Sequence, residues 1–246
     1  MKHLVIVTVY NKPTLTRRCV ESIAQTTDLS KNILYIVDDH SNQKTKVLLE
    51  LFKKKYPAIQ LHHNAKNVGK PKSINLVLRH YPQMDYYTVI DNDVVIKSKN
   101  WVRVLLNGHR DWNNGVILGA YTYMTGFAFT KNSRHYLDPW PYWNLAGCFF
   151  SFSRKIFRTL GYFSDVSRRS EDADYCRRAY LAGFRWFYMT DIKASISGYK
   201  DSKERKRLAR FHIWEQRKRR RYSDYVMLTH DFYYPSSRKL ASQADK

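Results

Sequence analysis

What the chain has little of narrows it first. Its three cysteines, Cys19, Cys148 and Cys176, are widely spaced in 246 residues, which excludes a disulfide framework or a site built on paired thiolates. An odd count, with no secretory leader before the first strand pattern, sets the expectation of a reduced, cytoplasmic protein. No run reaches the roughly 18 apolar residues that cross a bilayer, so no transmembrane segment is expected and any membrane contact is peripheral. The glycines form neither a Gly-x-Gly-x-x-Gly turn nor a Walker sequence, so phosphates would need a metal in place of a glycine cradle. Acidic residues are scarce as well: 21 Asp and Glu against 43 Lys and Arg leave a net charge of +22. That imbalance points to a polyanionic partner or an anionic membrane surface.

What is present is an alternation of strand and helix patterns. LVIVTVYN (4–11) reads as a buried strand ending in a turn at Asn11 and Pro13, and Thr14 or Thr16 is placed to cap the helix that follows. NILYIVDDHS is a second strand, 44–55 a Lys-rich amphipathic helix, IQLHH a short strand, and NVGKPKSINLVLRH a loop feeding a helix. TVIDNDVVI closes the series. This order predicts an α/β fold with an open, mostly parallel sheet flanked by helices, a class that binds ligands beyond the carboxyl ends of its strands. Asn11, Asp38, Asp39, Asp91 and Asp93 would gather there. A catalytic domain over 1–200 and a basic helical extension over 201–246 are expected.

Asp91 and Asp93 end an apolar, β-branched run. Paired carboxylates there suggest a divalent cation, because a strand keeps unpaired charge out of its buried middle; a solvated surface turn is the competing account. Further on, residues 99–110 read as a helix with Trp101, Val104 and Leu105 inward, and GVILGAYTY as a strand. FTKNSRHYLDPWPYW reads as irregular, with Trp140 and Trp143 either packing anchors or an acceptor-stacking platform. Gly147 would permit the close approach of a ligand or of a packed neighbour. Glu171, Asp172 and Asp174 begin a helix behind Ser170, where acids suit the positive end of the dipole and Ser170 is placed as cap. The tail from Lys203 to Arg221 has ten Lys or Arg and two Glu, with Leu208, Phe211 and Trp214 as a narrow apolar stripe. It suits phosphates of a nucleic acid, an anionic membrane surface, or plain solvation.

Taken in order, these segments resemble the family 2 glycosyltransferases of the GT-A fold, from Leu4 to about Ser197. IVTVYNKPTLTRRCVESI is similar to the opening strand and helix, IVDDHS to the nucleotide-binding acidic turn, and NVGKPKSIN, with Asn67, Gly69 and Asn75, to the next loop. DND at 91–93 resembles the DxD motif, GCFFSFSRKIFRTLGYFS the segment before the catalytic helix, and EDADYCRRAYLAGF that helix. The resemblance implies an inverting, metal-dependent transfer of one sugar from a nucleotide-sugar donor, with a UDP-sugar expected, to a hydroxyl acceptor. By the same resemblance the loop after Val9, with Asn11, Asp38, Asp39 and Asn67, holds base and ribose. Lys70 reaches the phosphates, and Asp91 contacts ribose or a metal-bound water. Asp93 coordinates Mn2+ or Mg2+, and Asp172 is the general base. Two departures stand out: ASISG at 194–198 replaces the metal-binding His of many relatives, with His212 and His230 the remaining candidates, and the processive QxxRW signature is absent. The preferred acceptor is a hydroxymethylated base in DNA, held through the basic surface and residues 203–221. A lipid-linked or surface glycan at a membrane face and a non-catalytic nucleic-acid-binding module are the alternatives.

Overall fold

The computed structural model describes residues 1–121, 129–131, 136–139, 145, 147–164 and 171–196. The chain divides at Gly198 and Tyr199; the basic tail, with its two histidines, and Trp140, Trp143 and Ser170 lie outside the described residues.

The first half runs β1 (His3–Val9), α1 (Pro13–Thr26), β2 (Asn32–Asp38), α2 (Gln43–Lys55), β3 (Gln60–His63), α3 (Lys70–His80) and β4 (Tyr86–Asp91). The second runs β5 (Val94–Ile96), α4 (Trp101–Asp111), β6 (Val116–Tyr121), β7 (Phe129–Lys131), β8 (Tyr136–Pro139), β9 (Phe149–Ser153), α5 (Arg154–Leu160), α6 (Glu171–Leu181) and β10 (Arg185–Ile196). In the sheet the strands lie in the order β3-β2-β1-β4-β9-β6-β10-β8-β7, and β5 pairs with β10. Strands β1 to β4, joined by helical crossovers, are parallel, whereas β9 runs antiparallel to both β4 and β6.

Alternation along the strands explains why helices cover both faces. Val5, Val7, Leu34, Ile36 and Ile90 point to one face, where they meet Val20 and Ile23 of α1, Leu49 of α2 and Trp101 of α4. Leu4, Ile6, Val37, Tyr87 and Val89 point to the other, against Ile74 and Val77 of α3, Ile156 of α5 and Tyr175 of α6. Each large apolar side chain buried this way stabilises the fold by about 1.5–3 kcal/mol before entropy is counted.

Two expectations change. Neither Thr14 nor Thr16 caps α1. Lys12 is the N-cap, without a side-chain cap bond, and Pro13 opens the helix, where its missing N–H costs nothing; Thr16 instead donates to the Asn11 carbonyl. Within the stretch read as irregular, Phe129–Lys131 and Tyr136–Pro139 are strands: β7 and β8 pair with each other, and β8 pairs with β10. At the end of β10, Ala194 to Ile196 are strand residues in register with Ile96 to Val94.

Candidate functional site

The carboxyl ends of β1, β2 and β4 are bound together by backbone strain and side-chain bonds. Asn11 and Lys12 both adopt left-handed backbone, with φ 56° each, a conformation that costs an L-residue on the order of 1–2 kcal/mol. It is held in place from three sides. Asn11 donates its N–H to Ser41 Oγ at 2.8 Å and accepts from the Asn42 N–H at 2.8 Å. Asn92, buried between the two acids of the DND triplet, donates to the Asn11 carbonyl at 3.1 Å and to Thr16 Oγ1 at 2.8 Å. The resulting turn brings Lys12 Nζ to 3.5 Å from Asp93 Oδ2. Val9 precedes the turn as a core residue, and its carbonyl accepts the Asp39 N–H.

Asp38 and Asp39 sit inside their turn. Asp38 is fully buried, accepting from the Ser41 N–H and from His63 Nδ1 at 2.7 Å, while His63 Nε2 reaches Glu50. Asp39 accepts from Asn64 Nδ2, from the Val68 N–H at 2.8 Å and from the Gly69 N–H at 2.9 Å. Gly69, at φ 89°, is the N-cap of α3, a backbone angle that L side chains rarely adopt. Asn67 donates to the Asp39 carbonyl at 3.3 Å. Both carboxylates therefore brace the two loops in the region expected to hold base and ribose. Asn75 is likewise structural, exchanging two hydrogen bonds with the Phe163 backbone.

The second cluster centres on Lys70. Its ammonium lies 2.7 Å from Asp91 Oδ1 and 2.9 Å from Glu171 Oε1, and donates to the Gly147 carbonyl at 2.9 Å. Burial disfavours its charge, but Asp91 and Glu171 outweigh burial and raise its pKa. Asp172 accepts from the Gly147 N–H at 2.8 Å and from its own helix at the Ala173 N–H at 2.8 Å. Burial, then the neighbouring Glu171 charge, pushes its carboxyl above the usual range. Asp93 is pushed the same way by burial and by Asp91. Gly147 answers the question its sequence left open: a Cβ there would stand 3.1 Å from Asp172 and 3.2 Å from Lys70 Nζ, so the close neighbours are the site's own side chains. Residues 91 and 172, 81 positions apart, thus meet across one lysine and one glycine. Sequence reasoning gave no role to Glu171 beyond its place at the helix start, nor any to Asn92 or His63; the only signal for Glu171 was its place beside Asp172.

The donor set suits a hard divalent cation in part. Burial and then the Asp91 charge raise the Asp93 carboxyl, a strain that a dication relieves, and carboxylate oxygens are its natural ligands. Among the described residues no group of three His, Cys, Asp or Glu side chains gathers to complete the shell.

Residues 4–171 match Glycosyl transferase family 2, and the chain belongs to that family. Its architecture is the GT-A fold of solved glycosyltransferases. A mannosyltransferase from Pyrobaculum calidifontis in complex with GDP-Man and Mn2+ superposes with a TM-score of 0.66 at 18% identity, over 81% of this chain and 58% of that one. S. aureus TarS 1-349 in complex with UDP-GlcNAc gives 0.65 at 17%, over 82% and 60%. GalNAc-T7 with UDP, GalNAc and Mn2+ gives 0.66 at 13%, over 80% and 44%. The chain thus spans about three fifths of the first two structures and less of the third. No curated protein matches it.

Proposed function

We propose that the protein is an inverting glycosyltransferase that moves one sugar from a nucleotide-sugar donor to a hydroxyl acceptor. One observation carries this reading: Lys70 joins Asp91, at the strand end that would face the donor diphosphate, to the helix start that presents Asp172. The family and the donor complexes of the similar structures support it. The nucleoside lies against the turn at Asn11 and Asn67, which Asp38 and Asp39 hold in shape, with a UDP-sugar the expected donor. Asp93 holds Mn2+ or Mg2+ and Asp91 contacts ribose or a metal-bound water. Bound there, the dication supplies neutralisation of the charge that develops on the leaving diphosphate. Lys70 and Lys12 add fixed positive charge beside the two acids.

Asp172 accepts the acceptor's hydroxyl proton as its oxygen bonds to the anomeric carbon and the bond from that carbon to the diphosphate oxygen breaks. A single displacement of this kind inverts the anomeric centre, and the nucleoside diphosphate departs with the bonding pair. A carboxyl with raised proton affinity is the better base for that transfer.

For the acceptor we propose a hydroxymethylated base in DNA, because 43 basic residues against 21 acidic ones suit a phosphate polyanion and the Arg-dense stretch 203–221 suits its backbone. Transfer of labelled sugar to hydroxymethylated duplex DNA, beside a lipid-linked or oligosaccharide acceptor and with Mn2+ present, tests this. Label in DNA supports it; label only in the glycan moves the acceptor to a membrane face, and DNA binding without any turnover removes the enzyme reading.

A further inference from the structure

An ammonium group has three protons to donate, and all three of those on Lys70 are spent: on Asp91 Oδ1 at 2.7 Å, Glu171 Oε1 at 2.9 Å and the Gly147 carbonyl at 2.9 Å. None goes to Asp172, although both groups sit on the same glycine. The site of a Cβ on Gly147 would be 3.2 Å from Lys70 Nζ and 3.1 Å from Asp172 Oδ2. Glu171 and Asp172 are chain neighbours of equal charge at the start of α6, and the cation pairs with Glu171, the more buried of the two, while Asp172 takes the Gly147 N–H.

We infer that Glu171 is a positioning residue: by taking the third proton of Lys70 it keeps that ammonium from hydrogen-bonding to Asp172, whose partners among the described residues are backbone N–H groups. The inference rests on the reading of Asp172 as base and adds to it a reason for the acid that precedes it. A base in direct contact with an ammonium would lose about 1–3 pH units of proton affinity and with it catalytic strength. With the Lys70 hydrogen bonds directed to other acceptors, burial and the Glu171 charge raise the Asp172 carboxyl over the smaller opposing effects of the Gly147 and Ala173 N–H groups and of the Lys70 charge. Among the described residues, the other titratable groups near Asp172 supply no countercharge. Cys148 is pushed up to about 12, by burial and then by Asp91, and Cys176 is raised mainly by burial, so both remain neutral thiols. The carboxylate of Asp174 is engaged by Arg178 at 2.8 Å.

The test is the pH profile of transfer by Glu171→Gln, which keeps the side chain's shape and removes its charge. The acidic limb of kcat is expected to move about one pH unit lower and the plateau to fall about tenfold, with donor affinity, measured by titration of the nucleoside diphosphate with Mn2+, little changed. Glu171→Ala, which removes the acceptor as well, should move the limb at least as far. A lower kcat with the limb unmoved in both variants overturns the proposal and leaves Glu171 a structural residue. Asp172→Asn, assayed alongside, separates the two claims. If it transfers sugar at a near-native rate, the base assignment fails and the proposal with it. If it is inactive while the Glu171 limb stays in place, only the proposal fails.

Discussion

Two acidic clusters stand at the carboxyl ends of the strands, and they are satisfied in different ways. Asp38 and Asp39 receive backbone N–H groups, an asparagine amide and a histidine, partners fixed by the fold on all sides. Asp91, Asp93 and Glu171 are met by long lysine side chains, and Asp172, among the described residues, by two backbone N–H groups. In the first cluster the hydrogen bonds lock two loops. In the second, Asp93 and Asp172 have carboxyls raised by burial, and the cations sit on long side chains instead of on the backbone. The same functional group serves as scaffold where its partners are backbone, and is available for chemistry where its partners can move or are few.

Mutation should separate the two clusters. The largest effect is expected for Asp172→Asn, which should cut transfer by about 10²–10⁴-fold in a rate assay while the thermal midpoint barely moves. At Asp39→Ala the sign of the comparison reverses: the Val68 and Gly69 N–H groups and the Asn64 amide lose their acceptor. Stability should drop by about 3 kcal/mol in urea unfolding, and activity should fall only with the folded fraction.

A third region sharpens the contrast, because it is polar, buried and remote from the candidate chemistry. His3 bonds Thr88 at 2.8 Å, Thr88 donates to Ser151 at 3.0 Å, and His109 reaches Ser151 at 2.9 Å. Burial lowers the two histidines to about 4 and about 3. The unfolded chain, with histidines near 6.5, takes up protons first, so this network's stabilisation is complete above about pH 6.5 and is lost as pH falls towards 4. For His3 alone the loss should be about 2 kcal/mol by pH 5, measured as the difference in urea midpoints between the native chain and His3→Gln across that range.

How far these regions were legible in the sequence follows from what each depends on. The β–α alternation and the DND strand end were readable because apolar periodicity and local turn chemistry lie within a few residues. The antiparallel strand β9, set between β4 and β6, was not, since its apolar run pairs equally well in either direction. The acids at 38, 39, 91, 93 and 172 were all visible, yet their division into braces and candidate chemical groups was not. That division depends on which backbone amides the loops at 64–69 and 147 turn towards them, a tertiary property. Glu171 looked like an ordinary first-turn acid for the same reason: its partner Lys70 is 101 positions away.

Donor binding, measured apart from transfer, reaches the central claim most directly. Nucleoside diphosphate with Mn2+ should be titrated into the native chain, Asp93→Asn and Asp172→Asn, each also assayed for transfer. The account predicts that Asp93→Asn loses both binding and transfer, while Asp172→Asn binds as the native chain does and fails only to transfer. Equal loss of binding in the two variants, or native binding by Asp93→Asn, would contradict it.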